Sequence, residues 1–302
     1  MFARSASAHL RSFSRVNLRV SIQSCRALSN LAFTKYDNGG SRNVLFLHGI
    51  MGNRRNWGNF MKLIQPQHPN DNFITMDLRC HGDSPFVNEP ATMRDFAMDV
   101  YETLAAHHIP IDTVVAHSFG GKVAMELMSL YSLNLPSLPK TAIILDSMIG
   151  SISDEATLSH IDSVIDAIDA VQRPIPNYTY LKKELLRQGL KPAIADWLTT
   201  SVRRNAKHEY EFVFTTSLIR QFLKVYSDMD YWSLFATPPQ GCHIRLVRAA
   251  RTEKWTEDIV ERIGILVENN PVQLSDRVVS NSGHWLQVDN PVGLHEAIRD
   301  LL

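Results

Sequence analysis

The sequence predicts an α/β fold built on a mostly parallel central sheet with helices on both faces. Three observations carry this expectation. Short runs rich in β-branched residues alternate with amphipathic stretches along most of the 302 residues. Between Val114 and Ala124 a strand-like run stops at a serine flanked by small residues and continues with helical patterning. From about residue 150 to 238 the alternation gives way to helical patterning alone, as in an insertion.

The elements follow in order. Leu31–Tyr36 reads as an opening strand, closed by the turn signal Asp37-Asn38-Gly39-Gly40. Asn43–Leu47 is a short apolar run leading into His48-Gly49-Ile50-Met51-Gly52, and Trp57–Ile64 has helical spacing. Phe73–Met76 is the next strand and enters Asp77-Leu78-Arg79-Cys80-His81-Gly82-Asp83-Ser84. Met93–Ala106 reads as an amphipathic helix, Thr113–Ala116 as the strand before the serine, and Ala142–Leu145 as a strand ending in Asp146. In the insertion, Ile161–Val171, Tyr180–Gln188, Pro192–Val202 and Phe212–Met229 look helical, with no strand between them. After Pro238-Pro239 the strand rhythm returns at Ile244–Val247 and across Val272–Val279, and Pro291–Leu302 closes the chain as a helix.

Composition bounds the possibilities. Apolar residues at 44% and charged residues at 21% suit a globular domain, and 31 bases against 31 acids give no footprint for a nucleic-acid partner. No apolar run reaches the roughly 18–20 residues of a membrane span. Cys25, Cys80 and Cys242, odd in number and far apart, form neither a disulfide framework nor a metal motif, and no cofactor motif is present.

The N-terminus differs from the rest. Arg4, Arg11, Arg15, Arg19, Arg26 and Lys35 precede the first acid, Asp37, and serines are interspersed with apolar residues. This is the composition of an organelle transit peptide, without the apolar core of a secretory signal. Arg26-Ala27-Leu28-Ser29 resembles a mitochondrial processing site, with the cut expected after Leu28. The expected organisation is therefore a transit peptide over 1–28 and one catalytic domain over 29–302, with a helical lid at about 150–238. A basic tail and a plastid address are the other readings of the leader. Loss of residues 1–28 leaves 26 bases against 31 acids, a mildly acidic mature protein.

The serine at the turn, Ser118, is the candidate nucleophile. Ala116-His117-Ser118-Phe119-Gly120 is one methyl away from Gly-x-Ser-x-Gly, the pattern that pushes a serine oxygen out at the end of a sheet above a helix N-terminus. Gly120 is expected to allow the tight turn, and the small residue at 116 to let helix and strand pack closely. A serine hydroxyl needs a base to take its proton. His284, in Ser282-Gly283-His284-Trp285 between the last strand and the last helix, is the candidate. The acid that would orient it is Asp146, at the end of the strand after the serine's helix, with Glu253 and then Asp276 as alternatives. Oxyanion donors are expected from the backbone N–H of Phe119 and of Ile50, with Met51 next. Asp77–Ser84 is expected to fix a loop near the site, and the Met and aromatic residues of the lid to include walls of the acyl pocket, with most of them serving as core.

These segments together resemble the α/β-hydrolases. The finer resemblance is to the branch containing the mitochondrial α/β-hydrolase domain-containing protein eleven, bacterial short-chain esterases and fungal ethanol acetyltransferases. It is carried by Leu47–Gly52, His81-Gly82-Asp83-Ser84 and His117–Met125, spans about 31–302, and is weak across the lid except at Trp197-Leu198-Thr199-Thr200. It implies the α/β-hydrolase fold, and an acid that can follow the strand after the elbow helix, as Asp146 does. Ala116 in place of glycine departs from the pattern. The function expected is a serine hydrolase of the mitochondrial matrix that cleaves small carboxylic esters or thioesters through an acyl-enzyme. Acyl transfer to an alcohol and a non-catalytic binding protein on the same fold are the rival expectations.

Overall fold

The structure is a computed structural model that describes residues 30–153 and 155–302. The leader read over 1–28 lies outside the described residues. In chain order the core opens with β1 (Phe33–Tyr36), β2 (Arg42–Leu47), α1 (Gly58–Ile64), β3 (Asp71–Met76), α2 (Met93–Ala106), β4 (Thr113–His117), α3 (Phe119–Ser129) and β5 (Thr141–Leu145). A long excursion follows: α4 (Glu155–Asp169), α5 (Tyr178–Arg187), α6 (Pro192–Thr199), β6 (Val202–Arg204), β7 (Tyr210–Phe212), α7 (Thr216–Asp228) and α8 (Trp232–Ala236). The core resumes with β8 (His243–Ala249), α9 (Glu257–Asn269), β9 (Leu274–Val279), α10 (Leu286–Asp289) and α11 (Pro291–Ile298).

Seven strands form one sheet in the order β1-β3-β2-β4-β5-β8-β9. Only β1 runs antiparallel, against β3; the other pairings are parallel. The strands read as continuous apolar runs because both faces are covered. Leu45, Leu47, Val114, Ala116, Ala142 and Ile144 face the larger core, shared with α2, α3 and the excursion. Val44, Phe46, Val115, Ile143 and Leu145 face the smaller core, which includes Phe60 and Met61 of α1 and Leu294 and Ile298 of α11. β3 pairs on one side of β2 and β4 on the other, so the chain reverses its direction of travel across the sheet there. In open parallel sheets ligands bind at the carboxyl ends of strands flanking such a point. The segments leaving β2 and β4 begin with His48 and Ser118.

The helix over Met93–Ala106 has the expected ends because its caps are local. The Thr92 hydroxyl accepts from the Asp95 N–H, and the Asp95 carboxylate accepts from the Thr92 N–H at 2.7 Å. The excursion departs from expectation in one respect: it is not purely helical. β6 and β7 form a short antiparallel hairpin, pairing Val202 with Phe212 and Arg204 with Tyr210. The helical segments expected from the sequence extend into both strands; three residues are too few for an alternating pattern to compete with helical periodicity. α9 is a further departure from expectation, although Glu257 and Asp258 in its first turn suit a helix N-terminus.

Candidate active site

Ser118 sits between β4 and α3 with φ 52° and ψ −116°, outside the regions an L-residue prefers. Its N–H donates to the Leu145 carbonyl at 3.0 Å, and its carbonyl accepts from Gly121 at 2.8 Å. The strain therefore falls on the serine itself, while the two glycines that follow serve close approach. A Cβ on Gly120 would stand 2.6 Å from the His48 carbonyl oxygen, and one on Gly121 would stand 2.5 Å from the Ser147 Cβ. Gly120 is thus required by what it packs against, where the sequence suggests a role in the turn.

The half-buried Ser118 Oγ lies 3.0 Å from His284 Nε2, and His284 Nδ1 lies 2.7 Å from Asp146 Oδ2. With the Nδ1 proton donated to the carboxylate, Nε2 is left to accept from the serine hydroxyl. The loop bearing His284 is tied back to the elbow, because His117 Nε2–H donates to the His284 carbonyl at 2.7 Å. The two alternative acids lie elsewhere: Glu253 is exposed, and Asp276 forms a 2.7 Å ion pair with Arg248.

Asp146 is fully buried and has φ 43°, so the chain turns sharply as it leaves β5. Its Oδ1 accepts from the Ala249 N–H at 3.1 Å, the Thr252 hydroxyl at 3.2 Å and the Trp255 indole N–H at 2.7 Å. Its Oδ2 meets the Lys254 ammonium at 2.6 Å as well as His284. Burial by itself would raise this carboxyl; Lys254 and His284 outweigh it and hold the group well below the usual carboxylate range. In the sequence, Thr252, Lys254 and Trp255 are no more than the surroundings of Glu253. Their role as donors leaves no trace in the pattern, since it depends on β5 and β8 lying side by side.

The loop after β2 is fixed by two buried histidines. His48 Nδ1–H donates to the Gly49 carbonyl at 2.7 Å while Nε2 accepts from the Leu78 N–H at 3.0 Å. His81 Nδ1–H donates to the Arg79 carbonyl at 2.9 Å while Nε2 accepts from the Met51 N–H at 3.2 Å. Met51's N–H is thereby occupied, which leaves Ile50 as the donor candidate of this turn. A Cβ on Gly49 would stand 3.3 Å from the Ser118 Cβ, so the turn passes directly beside the serine. The Asp77–Ser84 segment does fix this loop. Asp77 pairs with Arg54 and accepts from the Asp83 N–H at 2.8 Å, and Arg79 forms a buried ion pair with Asp99.

The excursion covers the site through a few anchored contacts. The Lys122 ammonium of α3 donates to the carbonyls of Gly150, Tyr226 and Met229 at 2.7–2.8 Å; burial pushes it down to about 8. Phe222 stacks on His81, and Tyr226 on Phe119. Trp197 of α6 meets Trp285, next to His284, with ring centroids 5.4 Å apart. These aromatic residues of the excursion thus pack against the loops that carry the candidate residues, and the Tyr226 hydroxyl also hydrogen-bonds Ser118.

Burial pushes His48 down to about 4, and His81 and His117 to about 3, further lowered at His81 by His48 and at His117 by His284. These three are neutral in the folded protein, whereas the unfolded chain takes up protons near the ordinary histidine value of about 6.5. Below that value the unfolded state binds more protons, so each histidine lowers stability as the pH falls from there toward its folded-state value. Urea unfolding should therefore show a clearly lower midpoint at about pH 5.5 than at about pH 7.5. An unchanged midpoint would show that these histidines are not held neutral.

Among the described residues no group of three or more His, Cys, Asp or Glu is arranged to hold a metal ion, and no helix is long and apolar enough to cross a membrane.

Residues 44–297 match the model of the alpha/beta hydrolase family. The sn-1-specific diacylglycerol lipase ABHD11 of Danio rerio is 26% identical over 278 residues, covering 89% of this chain and 81% of that protein. A probable alcohol acetyltransferase of Wickerhamomyces anomalus is 35% identical over 104 residues, covering 34% of this chain and 29% of that protein. Four of the curated relatives are matched over only 26–35% of their own length. Among solved structures, a marine microorganism esterase superposes with a TM-score of 0.75 at 18% identity, over 90% of this chain and 99% of that one.

Proposed function

This chain belongs to the alpha/beta hydrolase family, and on that premise we propose that it is a serine hydrolase of carboxylic esters or thioesters, working through an acyl-enzyme. The supporting observation is the hydrogen-bonded row from Ser118 Oγ through His284 to Asp146 Oδ2, at 3.0 and 2.7 Å. Esterase and lipase names among its relatives agree with it.

Ser118 Oγ attacks the acyl carbonyl while His284 Nε2 takes its proton. The oxyanion forms beside the Phe119 N–H at the start of α3, where a helix leaves its first N–H groups unpaired, and beside the Ile50 N–H. His284 then returns the proton to the departing alkoxide or thiolate. Water, activated by the same imidazole, releases the acid and restores Ser118. Asp146 keeps the Nδ1 proton in place and stabilises the imidazolium.

Residues 29–302 form the hydrolase domain in this reading, with the lid at about 150–238 over its site, and the acid-free, arginine-rich residues 1–28 address the protein to the mitochondrial matrix. A second reading, acyl transfer, draws on the alcohol acetyltransferase similarity: an alcohol would take the place of water at the same acyl-enzyme.

A fluorophosphonate probe should label the wild type at Ser118, and a panel of acyl esters of graded chain length should be turned over. Failure to label would favour a binding protein. Analysing products with ethanol present separates the two chemistries, since free acid supports hydrolysis and a new ethyl ester supports transfer.

A further inference from the structure

The ammonium of Lys254 lies where a serine hydrolase would not obviously want a cation. Its Nζ is 2.6 Å from Asp146 Oδ2, 2.7 Å from the Asp146 carbonyl oxygen and 3.2 Å from His284 Nδ1. The side chain is 24% exposed and reaches these atoms from the loop after β8. Because Nδ1 donates to Asp146, Lys254 cannot be a hydrogen-bond donor to the imidazole while that bond stands. What it contributes there is charge.

We propose that Lys254 is a positioning residue of the catalytic row, clamping Asp146 by its carboxylate and carbonyl and keeping His284 a neutral base to lower pH than Asp146 alone would allow. The inference rests on the serine-hydrolase reading above. The groups facing His284 can be named from each neighbouring element. Asp146 at the end of β5 and Asp289 of α10 favour the imidazolium; Lys254 opposes it, and His117 at the end of β4, neutral and with its ring centroid 4.7 Å away, adds no charge. Burial acts in the same direction as Lys254, and together they push His284 below the ordinary histidine value. A carboxylate shared between an ammonium and an imidazole also stabilises the imidazolium less than one facing the imidazole alone. The arrangement therefore widens the acid side of the working range at some cost in base strength.

The test is the pH dependence of kcat/KM for a neutral ester in wild type, Lys254→Met and Lys254→Arg. Methionine keeps the length without the charge, and its acid limb should move up by about one pH unit; arginine should keep the limb near that of the wild type. A purely structural role would lower activity in Lys254→Met at all pH values without moving the limb, and that result overturns the proposal. NMR titration of His284 in wild type and Lys254→Met supplies a readout independent of activity: a value no higher in the variant also overturns it. Fluorophosphonate labelling of Ser118, run alongside, reports on the serine-hydrolase reading by itself. Labelling with an unmoved limb sinks only the role of Lys254, and no labelling sinks both.

Discussion

Replacing Ser118 with alanine should lower kcat for ester hydrolysis about 10⁶-fold and abolish fluorophosphonate labelling, with the fold intact. The size of the effect follows from what the serine supplies. Its oxygen is held at an unfavourable backbone geometry, half-buried and 3.0 Å from the base, so removing it deletes the covalent route itself. What survives is the residual catalysis of the oxyanion donors and of binding. Stability should change little, because alanine keeps the Cβ and removes only the hydroxyl's contacts to His284 and Tyr226. Steady-state kinetics with a chromogenic ester, together with the urea midpoint, measure both quantities. An alanine variant that retains full esterase activity would mean that the chemistry lies elsewhere.

Asp146→Asn should cost about 10⁴-fold in kcat, the second-largest effect expected. The asparagine amide can present an N–H to His284 Nδ1 and so favour the tautomer whose Nε2 already carries a proton and cannot accept one from Ser118. The substitution also removes the negative charge that neutralises Lys254, leaving an ammonium 3.2 Å from the imidazole with nothing to offset it. The variant's residual activity should therefore recover in part when Lys254→Met is added, a non-additivity expected of residues that act as a unit. Glu253→Gln should leave kcat within a factor of about two, since that side chain is exposed and away from His284. A large loss in Glu253→Gln with a small one in Asp146→Asn would reverse the assignment of the acid.

The features behind these expectations differ greatly in how far the sequence reveals them. The run Thr113–His117 and the helix Phe119–Ser129 are local, each stated by its own residue types, so the elbow between them is legible. The same holds for α2, whose capping box encodes its start. The β6–β7 hairpin is not legible, because two strands of three residues are defined by pairing with each other more than by any periodicity of their own. The Ser118, His284 and Asp146 candidates come from chain order and position after strands, and the choice between Asp146 and Glu253 stays open at that level. Lys254 is invisible there as anything but a loop residue.

Local residue types carry the alternation of strands and helices, the serine turn, the histidine after the last strand and the acid-free composition of residues 1–28. All of these depend on residues within a few positions of one another. Only packing in three dimensions selects which carboxylate faces the imidazole, which backbone N–H of the His48–Gly52 turn is occupied, and that a lysine stands against the acid. The reason is distance along the chain. His284 meets Asp146 across 138 residues and Ser118 across 166, and only the order of β4, β5, β8 and β9 in the sheet brings their carboxyl ends, and these side chains, to one place.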